Sequence, residues 1–522
     1  VILLVNPPVT VPSEPPPGIA RLAGTLTANG VRCSLIDANV EGILHLLGLP
    51  GTATDTWTRR ALKNAGRNVE RIRDQDTYRI FDRYVRTVMD LNRALSCGRA
   101  PEEARITLTD FQTAPFSPLK STDLIRAAEH PEVNPFNDYL TGPFSSRVEA
   151  LRPSIVGFSL NYLSQAVTTF AMAGFVRKRF PGVTIVIGGG LVTSWASSLD
   201  GRNPFAGLID RLVPGPGEGP LLALSGATGT GATGTGATEA PPDYGSLPLS
   251  GYLSPGLILP FSASAGCYWG RCAFCPERAE GNPFRGVGPR KAMQDLEILA
   301  ERYEPALVHL VDNAIPPAVL KEIGRKGMGR PWYGFVRATA ELADGDFCRV
   351  LRRSGCVMLK LGIESGDQAV LDGMEKGLAV ETSSRVLRAL REAGIAAYVY
   401  LLFGTPYEAE AEARKTLDFV CRHHEMITFL NVAIFNLPVH APEAKSLATG
   451  PFYEGDLSLY SGFIHPRGWN RSAVRRFIDR EFRRHSLIQP ILRRDPPVFS
   501  SLHAPFLVAA RCSPSSPQSR QG

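Results

Sequence analysis

The stretch Ser264-Ala-Gly-Cys-Tyr-Trp-Gly-Arg-Cys-Ala-Phe-Cys-Pro-Glu277 places three cysteines, Cys267, Cys272 and Cys275, within nine residues. Three thiolates on one short loop can hold three irons of a [4Fe-4S] cube and leave the fourth iron open to a substrate or cofactor. Zinc is the alternative, but a structural zinc site is normally closed by a second cysteine or histidine pair further along the chain. None follows, and the next histidine is His309, alone in an apolar run. The loop follows an apolar strand candidate at 261–266, and further candidates recur at 307–313, 332–338, 357–363, 396–404 and 427–435, separated by helical segments. Six such β-α units predict a partial (β/α)6 barrel of the TIM type over 241–436, with site residues on the loops after the strands.

Upstream, Val1-Ile-Leu-Leu-Val-Asn6 has the pattern of a buried strand closed by Pro7 and Pro8, followed by helix Gly18 to Asn29 and strand Val31 to Ile36. Residues 43–148 have helical spacing and few strand signals, which predicts a helical insertion. The alternation resumes with Ile155 to Leu160, helix 164–180, Val183 to Ile187 entering Gly188-Gly-Gly190, and Leu208 to Val213 entering Pro214-Gly-Pro-Gly-Glu-Gly219. This is an α/β pattern, and it predicts an N-terminal doubly wound, Rossmann-like domain over 1–224 with its ligand at the carboxyl ends of the strands. The Gly-Thr-Ala run in 225–240 has no large apolar side chain and reads as a flexible linker. Residues 437–522 read as a small C-terminal appendage with a disordered tail after Cys512.

At 522 residues the chain exceeds one ordinary core. Its other cysteines are scattered without a pairing pattern, which argues for a reducing compartment. No stretch approaches the roughly 18 apolar residues of a membrane helix, and no charged signal-peptide head is visible. A cytoplasmic location with no membrane partner is the expectation. The net charge of +7 is modest for this length. The arginines from Arg471 to Arg494 read as a solvated helical face, and no interleaving of basic and aromatic residues points to nucleic acid.

Polar residues fall after successive barrel strands: Asp312 and Asn313, then Arg337, then Glu364 and Ser365, then Gly404-Thr-Pro406. Groups on one rim converge on one ligand. With the cysteine loop and its Phe274, the stretches Gly362-Ile-Glu-Ser-Gly366, Met374-Glu-Lys-Gly377 and Gly394 to Pro406 make the sequence resemble the radical SAM superfamily. Val156 to Tyr162 and Ile187-Gly-Gly-Gly190 narrow the resemblance to members with an amino-terminal cobalamin (B12)-binding domain. The resemblance implies a [4Fe-4S] cluster on the three cysteines, S-adenosyl-L-methionine chelated to the open iron, and a 5′-deoxyadenosyl radical formed on one-electron reduction. It further implies Glu364 and Ser365 at the ribose or methionyl part, Arg337 at the carboxylate, and backbone around Phe403, Gly404 and Thr405 at adenine, with Asp312 and Asn313 nearby. For cobalamin it implies Asn6, Ser159, Leu160, Asn161, Tyr162, Gly188, Gly189, Gly190, Gly217 and Glu218.

Two features depart from the family pattern. Four residues, Tyr268 to Arg271, separate the first two cysteines where three are commonest. The Asp-x-His-x-x-Gly motif that brings a histidine to cobalt is missing, with Asn39 standing where a histidine would be, so cobalt without a protein histidine is expected. The resemblance implies a cobalamin-dependent radical SAM methyltransferase acting on an unactivated carbon of a natural product or peptide, served by an electron donor such as flavodoxin or ferredoxin. A non-methylating rearrangement or oxidation, or a non-catalytic sensor holding cluster and corrin, are the alternatives. Methyl transfer requires a common cavity, lined by Asp312, Arg337, Glu364 and Thr405 on one side and Asn6, Ser159, Asn161 and Gly189 on the other.

Overall fold

Ile2–Asn6, apolar until Asn6 and buried throughout, is the strand from which the first sheet grows. A computed structural model describes residues 1–53, 55–98, 104–226, 240–497 and 503–511. Ile2–Asn6 pairs in parallel with Cys33–Asp37 on one side and Ile155–Ser159 on the other, and Thr184–Gly188 and Arg211–Val213 complete the sheet. The strand order places the first and third strands side by side with their following helices, Pro17–Ala28 and Leu163–Arg179, leaving from a shared edge. That crevice is where doubly wound sheets bind ligands.

The intervening segment is mainly helical, from Ala38–Gly48 to Ser145–Leu151. It also holds a small antiparallel pair, Ala104–Ile106 with Phe111–Thr113, that the sequence pattern does not reveal. Helix Ser121–Glu129 crosses Leu163–Arg179 at Gly174, where an added Cβ would overlap the Ala128 carbonyl.

The second sheet has six parallel strands in the order Phe429–Ile434, Ala396–Phe403, Cys356–Glu364, Trp332–Val336, Leu307–Leu310, Ile258–Phe261. Leu359, Leu361, Val399 and Leu401 point to the helix-covered face and are at most 1% exposed. The first strand ends at Phe261, short of the expected 261–266. Asp312 is the reason: its carboxylate accepts from the Ala263 backbone N–H and the Ser264 hydroxyl, turning the chain so that Ser264–Ala265 pairs antiparallel with Arg285–Gly286.

Most of the 225–240 linker lies outside the described residues. Where the chain resumes, the Asp243 N–H donates to the Ala20 carbonyl at 2.8 Å, and Pro241 packs on Gly24, so the entry to the second half is fastened to helix Pro17–Ala28. The segment after 437 is packed into the rest of the chain rather than set apart. Val474, Phe477, Ile478 and Phe482 share a core with Phe403 and Phe419. Helix His503–Arg511 joins the two halves: His503 stacks on Tyr398 at 4.6 Å, and Phe506 meets Tyr78 and Tyr84 of the insertion. The expected tail after Cys512 lies outside the described residues. The C-terminal arginines Arg475, Arg476, Arg480, Arg483 and Arg484 face solvent.

Candidate functional site: the cysteine loop and the glycine cradle

The cysteine loop is held by contacts distant in sequence. The Ala273 N–H donates to the Met374 carbonyl at 2.9 Å, and Trp269 Nε1 donates to the Glu375 carbonyl at 3.0 Å. Gly377, at φ +59°, lies flat against the Trp269 ring, and a Cβ there would overlap it. The Arg337 guanidinium lies 4.3 Å from the centroid of the same ring, donates to the Lys376 and Gly377 carbonyls, and brings Nη1 to 3.9 Å from Cys272 Sγ. The four-residue spacing thus has a structural use: it carries Trp269 over the Met374-to-Gly377 turn, where Arg337 clamps it. Arg337 was expected at the S-adenosylmethionine carboxylate; in this arrangement its guanidinium already grips the loop and faces a cysteine sulfur.

Glu364 stands at the end of its strand at φ +66° and pairs with Lys376 at 2.7 Å, both side chains about nine-tenths buried. Lys376 in turn lies 5.3 Å from the Phe274 ring. Cys267, Cys272 and Cys275 are free thiols, and burial pushes Cys272 up and Cys275 up to about 11. Loading a cluster there must release protons. Among the described residues no three His, Cys, Asp or Glu side chains gather around one point as a single ion's ligands do. Three free thiols spread along one loop fit a cube, in which each iron takes one thiolate.

The remaining expected residues divide. Asp312 is buried and spent on Ala263 and Ser264, so it supports the loop from beneath, and burial raises its pKa. Ser365 is fully buried against Thr416 and the Asp367 N–H. The Phe403 side chain packs against Phe477 and Phe482, leaving only its backbone to serve a ligand. Gly404, at φ +79°, donates to Glu408, whose carboxyl burial pushes up to about 7. The Thr405 carbonyl accepts from His465 at 2.8 Å, while its buried hydroxyl has no partner among the described residues. Asn313 is exposed.

On the first sheet, Ser159, Asn161, Gly188, Gly189, Gly217 and Glu218 line one cavity of about 180 Å³ at the carboxyl edge of the strands. Gly189, at φ +113°, could not carry a side chain, because a Cβ would overlap the Leu160 carbonyl and lie 2.9 Å from Asn161 Oδ1. Asn161 fixes this edge by accepting from the Gly190 N–H at 3.0 Å and donating to Ser159 Oγ at 3.0 Å. Glu218 is held by Arg21 at 2.8 Å. The glycine floor admits a flat group against bare backbone. The volume is below the roughly 300–1,000 Å³ of whole-ligand pockets, so it suits one part of a large cofactor such as a nucleotide base.

Four expected residues fall outside this cavity, one of them Gly190, whose N–H is held by Asn161. Asn6 is buried, donating to Asp37 and accepting from Gln165. Leu160 is in the core, and Tyr162 is 58% exposed. Asn39 uses its amide on both backbone groups of Thr10, pinning the loop after the first strand.

Comparison with known proteins agrees with this layout. The Radical SAM superfamily pattern matches residues 261–420. The hopanoid C-3 methylase of Methylococcus capsulatus is 24% identical over 297 residues, covering 51% of this chain and 56% of the relative. The chain spans between 33% and 56% of the length of the first curated relatives it matches. Among solved structures, the cobalamin-dependent S-adenosylmethionine radical enzyme OxsB with aqua-cobalamin bound superposes with a TM-score of 0.58 at 13% identity, over 92% of this chain and 66% of that one. The radical S-adenosylmethionine methyltransferase TsrM from Kitasatospora setae, with tryptophan substrate and a SAM analogue bound, superposes with a TM-score of 0.52 at 17% identity, over 84% and 74%. Residues 261–420 thus carry a radical SAM domain, and the chain's two parallel sheets have the fold of OxsB and TsrM.

Proposed function

We infer that this protein is a cobalamin-dependent radical SAM enzyme that methylates an unactivated carbon of a small-molecule or peptide substrate, with its second sheet acting as a partial (β/α)6 barrel. The observation that carries this is the cysteine loop locked by Trp269, Arg337 and Gly377 onto the turn that also delivers Lys376 to Glu364. Cys267, Cys272 and Cys275 would hold a [4Fe-4S] cluster. Glu364, fixed in the left-handed region, would take the ribose or methionyl part of S-adenosylmethionine, and the backbone at Gly404 would take adenine. The cradle from Ser159 to Gly189, with Gly217 and Glu218, would hold one part of cobalamin. When bound, these groups supply a primary carbon radical and a transferable methyl group.

The chain's own work is to bind, orient and keep water out. Arg337 fixes the loop and sets a positive charge beside Cys272. Lys376 neutralises Glu364 in a setting where an unpaired carboxylate would cost several kcal/mol. An external one-electron donor, flavodoxin or ferredoxin, would supply the electron. Among the described residues no helix is long and apolar enough to cross a membrane.

The test is anaerobic reconstitution with iron, sulfide and hydroxocobalamin. The wild-type protein should gain broad visible absorption, retain cobalamin through gel filtration, and yield 5′-deoxyadenosine from S-adenosylmethionine under reduction. Changing any of the three cysteines to alanine should remove the cluster absorption and the cleavage together. Stoichiometric zinc without sulfide in anaerobically purified protein would refute the assignment.

A further inference from the structure

The face of the second sheet turned away from its helices is lined mainly by rings. Tyr333 and Phe335 on Trp332–Val336 and Tyr398 and Tyr400 on Ala396–Phe403 flank the strand Cys356–Glu364, with centroids 5.1 Å apart for Phe335 and Tyr400 and 4.7 Å for Tyr398 and Tyr400. His309 stacks on Tyr333 at 4.3 Å, nearly parallel. His309, Phe335, Tyr400, Leu402, Asn431 and Ala433 are only half-buried, whereas Leu359, Leu361, Val399 and Leu401 on the helix side are sealed. The part of this face around Phe335 and Tyr400 therefore borders open space, while Tyr333 and Tyr398 are buried.

Among these rings stands one ammonium group. Lys360 is 6% exposed, with Nζ 3.2 Å from His309 Nε2 and 5.1 Å from the Tyr333 centroid. His309 Nδ1 meets the Glu14 carboxylate at 3.0 Å, across from the first sheet. A carboxylate on Nδ1 fixes the proton there, so a neutral imidazole turns its Nε2 lone pair to Lys360. Burial disfavours the charged form of the imidazole, consistent with that state. The Glu14 charge, relayed through a neutral ring, makes a buried ammonium tolerable and occupies one of its three donors. The other two have no acceptor among the described residues.

We propose that this face is the substrate site and that its substrate is an aromatic carboxylate, with the ring laid against Phe335 and Tyr400, the two partly open rings, and the carboxylate received by Lys360. The inference rests on the radical SAM assignment above and adds the substrate class. Flat rings match flat rings, and a charge-assisted hydrogen bond in a poorly solvated setting is about twice as strong as a neutral one. Tyr400 pairs with Gly362, two residues before Glu364, and the Phe335 ring lies against the same glycine, so a ring there would lie beside the expected S-adenosylmethionine site.

The test measures calorimetric binding of three probes to full-length, cluster-loaded protein with S-adenosylmethionine present: 3-phenylpropionate, 3-phenylpropionamide and 3-cyclohexylpropionate. 3-Phenylpropionate should bind about tenfold tighter than either analogue. Lys360→Met should abolish the preference for acid over amide. The paired variant K360M/E14Q, which leaves no buried charge unmatched, should do the same and guards against a folding failure of the single change. Equal binding of acid and amide, equal binding of phenyl and cyclohexyl acids, no binding of any probe to cluster-loaded wild type, or a preference that survives in the paired variant would overturn the proposal. Failure of the wild type to take up a cluster counts instead against the radical SAM assignment.

Discussion

Gly377→Ala tests the clamp on the cysteine loop. An alanine at φ +59° costs about 1–2 kcal/mol for the left-handed backbone alone. Its Cβ would also overlap the Trp269 ring, which cannot retreat without losing its hydrogen bond to the Glu375 carbonyl and the Arg337 guanidinium above it. Overpacking of this kind adds about 1–3 kcal/mol, and a lost cation–π contact and hydrogen bond add about 1–2 kcal/mol more if the ring is expelled. Gly394 is the control: its φ is +70°, yet a Cβ there meets nothing closer than Arg352 Nε at 3.6 Å. G394A should therefore show the backbone cost only. The assay is iron and sulfide per chain after anaerobic reconstitution, set beside thermal stability. Both variants should remain folded, with G377A losing most of its cluster and G394A keeping it. Full cluster occupancy in G377A, or equal loss in both, would show that Trp269 does not hold the loop.

Arg337→Gln should make the reconstituted cluster harder to reduce, because a positive charge 3.9 Å from Cys272 Sγ favours the electron-rich state; a tenfold change in the ratio of reduced to oxidised cluster corresponds to about 59 mV in an EPR-monitored titration. An unchanged potential would remove the charge from the account. Gly189→Ala should abolish cobalamin retention on gel filtration while leaving the cluster absorption intact, since the overlap with the Leu160 carbonyl is confined to the first sheet. Glu408, raised by burial to about 7, binds its proton more tightly when folded, so its stabilising contribution is full below about pH 4.5 and falls as the pH rises through 7. In denaturant melts at pH 5 and pH 8, wild type should lose more stability than Glu408→Gln, by on the order of 3 kcal/mol. Parallel losses would place the titration elsewhere.

The strands were legible wherever apolar runs are buried on both faces, as in Ile2–Asn6 and Cys356–Glu364. Boundaries decided by a distant side chain were not: the end of Ile258–Phe261 depends on Asp312, some fifty residues away by sequence. The three-residue strands of the hairpin at 104–113 are too short for a period to show. In the site, cysteine spacing announces its chemistry locally. The use of Trp269 does not, because its partners on the Met374-to-Gly377 turn lie 106 residues on at Glu375. Asn6 has the strand-end position of a ligand-binding residue, but Asp37 and Gln165 close on its amide. His309 reads in sequence as a lone ring in an apolar run, and it gains a role only from Glu14, 295 residues upstream.

The contacts between the halves bear on the proposed methyl transfer. Helix Gly190–Leu199 begins directly after the glycine cradle, and its Ser194 hydroxyl donates to Glu280 at 2.6 Å, five residues beyond Cys275. One turn further along the same helix, Ser198 meets His440 at 3.1 Å. Glu14, on the loop after the first strand, reaches His309 on the inner face of the second sheet. Each of these first-sheet groups leaves from the carboxyl end of a strand, so the first sheet presents its ligand edge to the second sheet's inner face and cysteine loop. Two domains hung independently on the 225–240 run would not be tied at three separated points along one edge. Such an arrangement would let a substrate at the proposed site on the inner face of the second sheet meet groups held by either edge without leaving the protein. Cutting only the contact nearest the cysteines, with Ser194→Ala, should loosen the approach without disturbing either pocket: cluster loading and cobalamin retention should match wild type, while 5′-deoxyadenosine formed per methyl transferred should rise. If that ratio stays fixed once the substrate is in hand, the Ser194–Glu280 contact does not set the alignment of the two edges.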